Sequence, residues 1–215
     1  MLSLAGCGGA AASNSAAPPK PVHDDALGGL LLSADDVNGI LGTTDMQAHP
    51  VVEQMADHRT MLPNLDCLGV WQVNEAPIYG SGNWKSVRQQ LLRSPDTEDW
   101  NSLVVQSVVS YRTPDAARAF FDESADRWSR CTNHHVNVQV NGQKLPPWKS
   151  GDLTTTDNQL TMPYTRGSGE AIRSCQHVLA VAANVIIDVA ACGPQSSDFT
   201  RGADVAAEID SKFPR

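Results

Sequence analysis

The chain has 215 residues, enough for one sizeable hydrophobic core, and its 41% hydrophobic and 19% charged residues give a globular balance. The formal charge is −8, and no run of Lys or Arg is long enough for the basic stripe that phosphate neutralisation needs, which argues against a nucleic-acid partner. No segment approaches the roughly 20 consecutive apolar residues of a spanning helix. The longest apolar stretches, around Leu103 to Val109 and Val178 to Ala191, are broken by Gln106, Asn184 and Asp188.

Residues 1–7 read as the remnant of a lipoprotein signal, because Leu4-Ala5-Gly6-Cys7 is similar to the bacterial lipobox, whose small residues admit a signal peptidase before a cysteine. That chemistry makes Cys7 the lipidated residue and tethers the chain to the extracytoplasmic face of a cell membrane. A secretory leader needs a positive start and about 7 to 15 apolar residues. Only six residues precede Cys7, so the leader is expected to begin upstream or to have been removed. Residues 8–26, rich in Gly, Ala, Ser and Pro, read as a flexible spacer, and residues 27–215 as the folded domain.

In the domain, Ser33 caps a short helix with Asp35 and Asp36 in its first turn, Val37, Ile40 and Leu41 on one face, and Gly42 at its end. Residues 43–66 carry no sustained period and read as a long loop. Alternation in Trp84 to Leu92 and Leu103 to Tyr111 predicts two strands around a turn opened by Ser94-Pro95-Asp96. Thr113-Pro114-Asp115 starts the main helix, with Ala117, Phe120, Phe121, Ser124, Trp128 and Cys131 on one stripe. Val136, Val138 and Val140 alternate before Asn141-Gly142, further strands flank Asp157-Asn158, and Asp204 to Phe213 closes the chain as a helix. Strands outnumber helices and no βαβ alternation is present, so the expected fold is α+β: an antiparallel β-sheet packed by helices on one side, with a cleft.

Five cysteines leave one unpaired in an exported protein; with Cys7 given to lipid, Cys67, Cys131, Cys175 and Cys192 form an even set. The segments Ser174 to Ala182 and Val185 to Cys192 read as a hairpin around Ala183-Asn184. A two-residue loop there places Ala182 opposite Val185, Val178 opposite Val189, and Cys175 opposite Cys192. Counted from the turn, that last pair is of the non-hydrogen-bonded kind, with Cα atoms about 4.5 Å apart. This favours Cys175–Cys192 and leaves Cys67–Cys131, which closes a loop worth about 4 kcal/mol in the chain-entropy picture.

No catalytic constellation stands out. Ser81 and Ser168 lie in Gly-Ser-Gly rather than in the Gly-x-Ser-x-Gly of a nucleophile elbow. No His lies at a metal-binding offset from a cysteine, so neither metal nor cofactor is expected, and His134-His135 read as solvated or hydrogen-bonded. Asp188 interrupts an apolar strand, where a carboxylate needs either a partner or a water-filled cleft. In the hairpin register it shares a face with His177 on a diagonal. Among the aromatic residues, which read mostly as core, Trp84, Tyr111 and Tyr164 join His177 and Asp188 as the candidate cleft residues.

The segments Leu31-Leu32-Ser33-Ala34-Asp35-Asp36-Val37-Asn38, Cys67-Leu68-Gly69, Tyr79-Gly80-Ser81-Gly82, Trp128-Ser129-Arg130-Cys131, and Cys175-Gln176 with Asn184 to Cys192 carry a resemblance. From about Leu30 to Lys212 the chain resembles the PknH-like sensor family, the extracytoplasmic sensor module of mycobacterial serine/threonine kinases, also found alone in exported lipoproteins. The resemblance implies a sheet-and-helix domain with two disulfides and a broad cleft for an unidentified small ligand or cell-wall component; it brings no catalytic residues. Signalling would pass through a separate envelope protein. The alternatives are a cell-envelope hydrolase using Asp188 with a histidine, and a protein-docking module.

Overall fold

The computed structural model describes residues 17–62, 64–80, 83–140, 142–144, 146–196 and 199–215. Cys7, residues 8–16 of the expected spacer and Ser81 lie outside them. In chain order the strands are β1 (Gln47–Ala48), β2 (Trp84–Ser94), β3 (Ser102–Tyr111), β4 (His135–Val136), β5 (Gln139–Val140), β6 (Gln143–Lys144), β7 (Trp148–Ser150), β8 (Thr154–Thr155), β9 (Gln159–Arg166), β10 (Arg173–Ala182) and β11 (Val185–Pro194). The helices are α1 (Ala34–Leu41), α2 (Leu68–Trp71), α3 (Ala76–Tyr79), α4 (Pro114–Ser129) and α5 (Arg201–Ser211), with 3-10 turns at Asp24–Leu30, Leu65–Cys67 and Gly169–Ala171.

All strands but the small β5–β6 ribbon form one antiparallel sheet in the order β1-β2-β3-β11-β10-β9-β7-β4, with β8 also on β9. The β10–β11 hairpin lies at its centre. Its register pairs Ala182 with Val185 and Cys175 with Cys192, as the two-residue turn requires. The Cα atoms of that pair are 4.0 Å apart and their sulfurs are bonded. The second disulfide, Cys67–Cys131, spans 64 residues and ties the Leu65–Cys67 turn to the end of α4.

Helices cover both faces of the sheet, which corrects the one-sided packing read from the sequence. On one face Trp71 of α2, Tyr79 of α3 and Phe120, Phe121 and Trp128 of α4 pack against Val109, Met162, Leu179 and Ile186. On the other, Leu27 and Leu30, Val37 of α1, and Val205 and Ile209 of α5 pack against Val104, Val178, Ile187 and Val189. The physical reason is visible in the hairpin: its strands are apolar at successive positions, not alternate ones, and such strands need cover on both sides. Gly202 lets α5 approach β10, because a Cβ there would sit 2.7 Å from the Gln176 carbonyl oxygen.

The local signals place the helices as expected. Ser33 and Asp36 form a reciprocal capping box, Gly42 ends α1 at φ 71°, and the Thr113 hydroxyl accepts from the Ala116 N–H. The expected spacer ends before residue 26. The Lys20 N–H donates to the Pro214 carbonyl, Val22 is buried, and Asn184 holds Val22 through both halves of its amide, at 2.8 and 3.1 Å. Asn184 thus serves as both hairpin turn and latch for the entering chain.

Ala183, the other turn residue, stands at φ 50°, where a Cβ is strained. Ala183→Gly is expected to stabilise the domain by about 0.5–1 kcal/mol, the relief of the left-handed strain outweighing the extra freedom glycine gives the unfolded chain. Equilibrium urea denaturation checks this; an unchanged or lower midpoint contradicts it.

Candidate functional site

A carboxylate in the middle of an apolar strand is costly unless its oxygens are fully hydrogen-bonded. Asp188 lies on β11 opposite Leu179 and Ser107, on the α4 face. Its Oδ2 accepts from the Tyr79 hydroxyl at 2.8 Å and from the Asn74 backbone N–H at 3.0 Å. Its Oδ1 lies 2.6 Å from His177 Nε2, and the other ring nitrogen, Nδ1, lies 2.8 Å from the Val70 carbonyl oxygen. A carbonyl only accepts, so Nδ1 carries a hydrogen, and a second proton is held between Nε2 and Asp188. The side chains of His177 and Asp188 are 0% and 4% exposed.

The segment reaching down to Asp188 carries a second buried carboxylate. Glu75 accepts from the His58 backbone N–H at 2.8 Å and faces the His58 ring nitrogen at 2.6 Å. Asn74, at φ 63°, connects the two sites. Burial, reinforced by the Asp188 carboxylate, pushes the Tyr79 and Tyr111 hydroxyls up from the ordinary tyrosine range, so Tyr79 stays a donor.

Of the five residues read from the sequence as cleft candidates, His177 and Asp188 are brought into direct contact, and Tyr111 is buried against Phe120 above them. Tyr164 is buried beside the Cys175–Cys192 staple, its hydroxyl 3.7 Å from Cys192 Sγ. Trp84 is half-buried at the start of β2, where its Nε1 donates to the Gly80 carbonyl. The five therefore do not line one common cleft: four are buried in the α4-side core and Trp84 lies at its edge.

Two concavities open at the end of the sheet where β9 turns into β10, one on each face. The first, about 450 Å3, lies beside the start of α5 and is lined by Thr161, Pro163, Thr165, Gln176 and Lys149, with Tyr164 at its wall. The second, about 430 Å3, is on the α4 face, between the β2–β3 connection and the β9–β10 turn. Trp100, Pro146, Trp148, Arg166 and Arg173 line it. Trp148 continues inward, with its ring 5.9 Å from Trp71 and 6.2 Å from Tyr164. Among the described residues no group of three His, Cys, Asp or Glu side chains could hold a metal ion.

The sequence reading did not single out Arg166, Arg173 or the His58–Glu75 pair. Arg166 ends an alternating strand on the same face as Met162 and Tyr164, a signal that becomes usable only once the β9–β10 register is known.

An antiparallel sheet covered on both faces and stapled by two disulfides defines a domain of the kind built for an oxidising compartment. The chain belongs to the PknH-like extracellular domain family, whose model matches residues 22–212. It is 31% identical over 195 residues to the serine/threonine-protein kinase PknH of Mycobacterium bovis, covering 91% of this chain and 32% of the kinase. The PknH of Mycobacterium tuberculosis matches at the same identity over 91% of this chain and 30% of the kinase, and the kinase PknJ of Mycobacterium tuberculosis at 24% over 83% and 31%. The crystal structure of the extracellular domain of PknH from Mycobacterium tuberculosis superposes with a TM-score of 0.81 at 29% identity, covering 90% of this chain and 97% of that one. The chain thus spans about a third of the length of the curated kinases it matches, and the matched part of the solved structure is the extracellular domain. The expected family, the α+β antiparallel fold and both disulfides are borne out, and the domain is of extracytoplasmic type.

Removing the Asp188 carboxylate leaves His177, Tyr79 and the Asn74 N–H facing an apolar hole. Asp188→Ala is expected to destabilise the domain by about 3–5 kcal/mol in chemical denaturation. A loss below about 1 kcal/mol contradicts the structural role given to the network.

Proposed function

We propose that the chain is a membrane-tethered extracytoplasmic sensor domain that binds a small ligand or cell-envelope component in the Trp100–Trp148 cleft and passes its occupancy to a separate envelope protein. Lipidation of Cys7 would supply the tether. The observation that carries the reading is the double position of Trp148, which is at once a wall of the cleft and a member of the core. Aromatic walls with a few placed polar groups suit a small-molecule site, and the volume of about 430 Å3 falls in the usual range. From Trp148 the contacts run through Trp71 into α2, whose Val70 carbonyl meets His177. On this reading Tyr164, His177 and Asp188 support the cleft from behind, and Tyr111 and Trp84 hold the far end of the same core.

Binding is favoured over hydrolysis because His177 and Asp188, the acid/base pair a hydrolase would use, are sealed from solvent at 0% and 4% exposure. Nucleic acid remains disfavoured by the charge of −8.

Native mass spectrometry of the full chain purified in detergent from envelope membranes tests the proposal. The expected spectrum shows a diacyl group on Cys7 and a non-covalent adduct of a few hundred daltons that is lost in Trp100→Ala. An adduct-free spectrum, or turnover of an envelope substrate abolished by Asp188→Ala, contradicts it, and an associated protein retained by the Trp100→Ala variant in place of the adduct identifies a docking module.

A further inference from the structure

The cleft holds two guanidinium groups in an arrangement that is unfavourable as it stands. Arg166 on β9 and Arg173 on β10 are direct cross-strand partners on the same face, and like charges opposite one another in a ladder destabilise it. The chain carries 24 acidic residues against 16 Lys and Arg, yet neither arginine forms an ion pair with a carboxylate among the described residues. Glu98, at the rim, is instead drawn to Arg93 at 3.1 Å.

The two arginines are held differently. Arg173 donates to the carbonyls of Trp100, Glu170 and Ile172 and to the Asn101 side chain, which fixes the β2–β3 connection and places Trp100 over the cleft. Arg166 has no hydrogen-bond acceptor among the described residues. Its guanidinium carbon lies over the Trp148 ring at 4.5 Å and over the Trp100 ring at 5.3 Å. A guanidinium stacked on aromatic rings keeps its N–H groups in the plane of the fork, where they match the two oxygens of a carboxylate or phosphate. Cation–π contact favours the charge but satisfies none of the five donors. Burial pushes the Arg166 pKa down from the usual arginine value, the direction expected of a desolvated cation without an anion.

Resting on the reading of this cleft as the ligand site, we infer that Arg166 is an oxyanion-recognition residue, taking the carboxylate or phosphate of a small ligand in its fork while Trp100 and Trp148 hold the fork's plane. Arg173 is a positioning residue: it sets Trp100 and adds positive charge. Asp99 and Glu170 at the rim oppose a polyanion, so the ligand carries one anionic head and not a chain of them.

The test follows the Arg166 side-chain Nε–H resonance by NMR in the full chain while sodium acetate, inorganic phosphate, or vesicles of phosphatidylcholine with phosphatidylglycerol are added, with chloride as the ionic-strength control. A saturable shift with either free anion is expected, and tryptophan fluorescence is expected to follow the same curve. In that readout the affinity falls at least tenfold in Arg166→Gln and in Arg166→Lys, the latter keeping the charge but losing the fork. A response to the vesicles alone also supports the inference and places the oxyanion in a lipid head group. No saturable response to any probe overturns it, as does equal binding by either variant that retains the near-ultraviolet dichroism of the parent. An envelope adduct that survives in Arg166→Gln removes the oxyanion role and leaves the binding reading standing, whereas an adduct missing from parent and variant alike removes the binding reading itself.

Discussion

The Asp188 carboxylate is the constraint around which the domain is arranged. It sits in the central hairpin of a sheet covered on both faces, where an uncompensated charge would cost several kcal/mol. Its compensation comes from three separate parts of the chain: His177 on the neighbouring strand, the Tyr79 hydroxyl on α3, and the Asn74 backbone N–H in the segment before α3. Meeting that demand pulls residues 70–79 down onto the sheet, and the Cys67–Cys131 bridge then ties the same segment to α4. Apolar packing alone would let this irregular segment settle in many ways; a buried acceptor with fixed donors selects one.

That docked segment also gives the cleft its inner wall. Trp71, at the end of α2, touches Trp148 and Tyr164, so the aromatic lining of the cleft and the donors of Asp188 belong to one continuous packed body. Under the proposed function, a movement of Trp148 would have a short mechanical path through Trp71 to α2 and to the 72–79 segment. A cleft coupled to the core in this way is then suited to reporting occupancy, and the family is one found in serine/threonine-protein kinases.

Much of the fold was legible in the sequence because its signals are local. The Ser33 and Thr113 caps, the stripe from Ala117 to Cys131 and the two-residue turn at Ala183-Asn184 each fix geometry within one or two elements, and the turn alone was enough to pair Cys175 with Cys192. The second helical layer is less legible because the hairpin strands Ser174 to Ala182 and Val185 to Cys192 show no alternation, so nothing local assigns one of their faces to a second cover. The Asp188–His177 contact followed from the register, but its donors Tyr79 and Asn74 come from more than 100 residues away, at separations of 109 and 114, and no periodicity announces them. Arg166 was hidden for a related reason: as a single basic residue at a strand end it looks solvated, and only the pairing of β7 with β9 and the placement of the β2–β3 connection bring it to Trp148 and Trp100.

In the proposed function, the Trp100–Trp148 end of the sheet is a ligand site mechanically joined to the Asp188 core. Hydrogen–deuterium exchange of the full chain, with and without a solubilised small-molecule fraction of the envelope, tests it most directly. Slower exchange is expected in residues 98–103 and 164–175, extending into residues 70–79. Protection confined to α1 and α5 on the opposite face, or no protection anywhere, would contradict it.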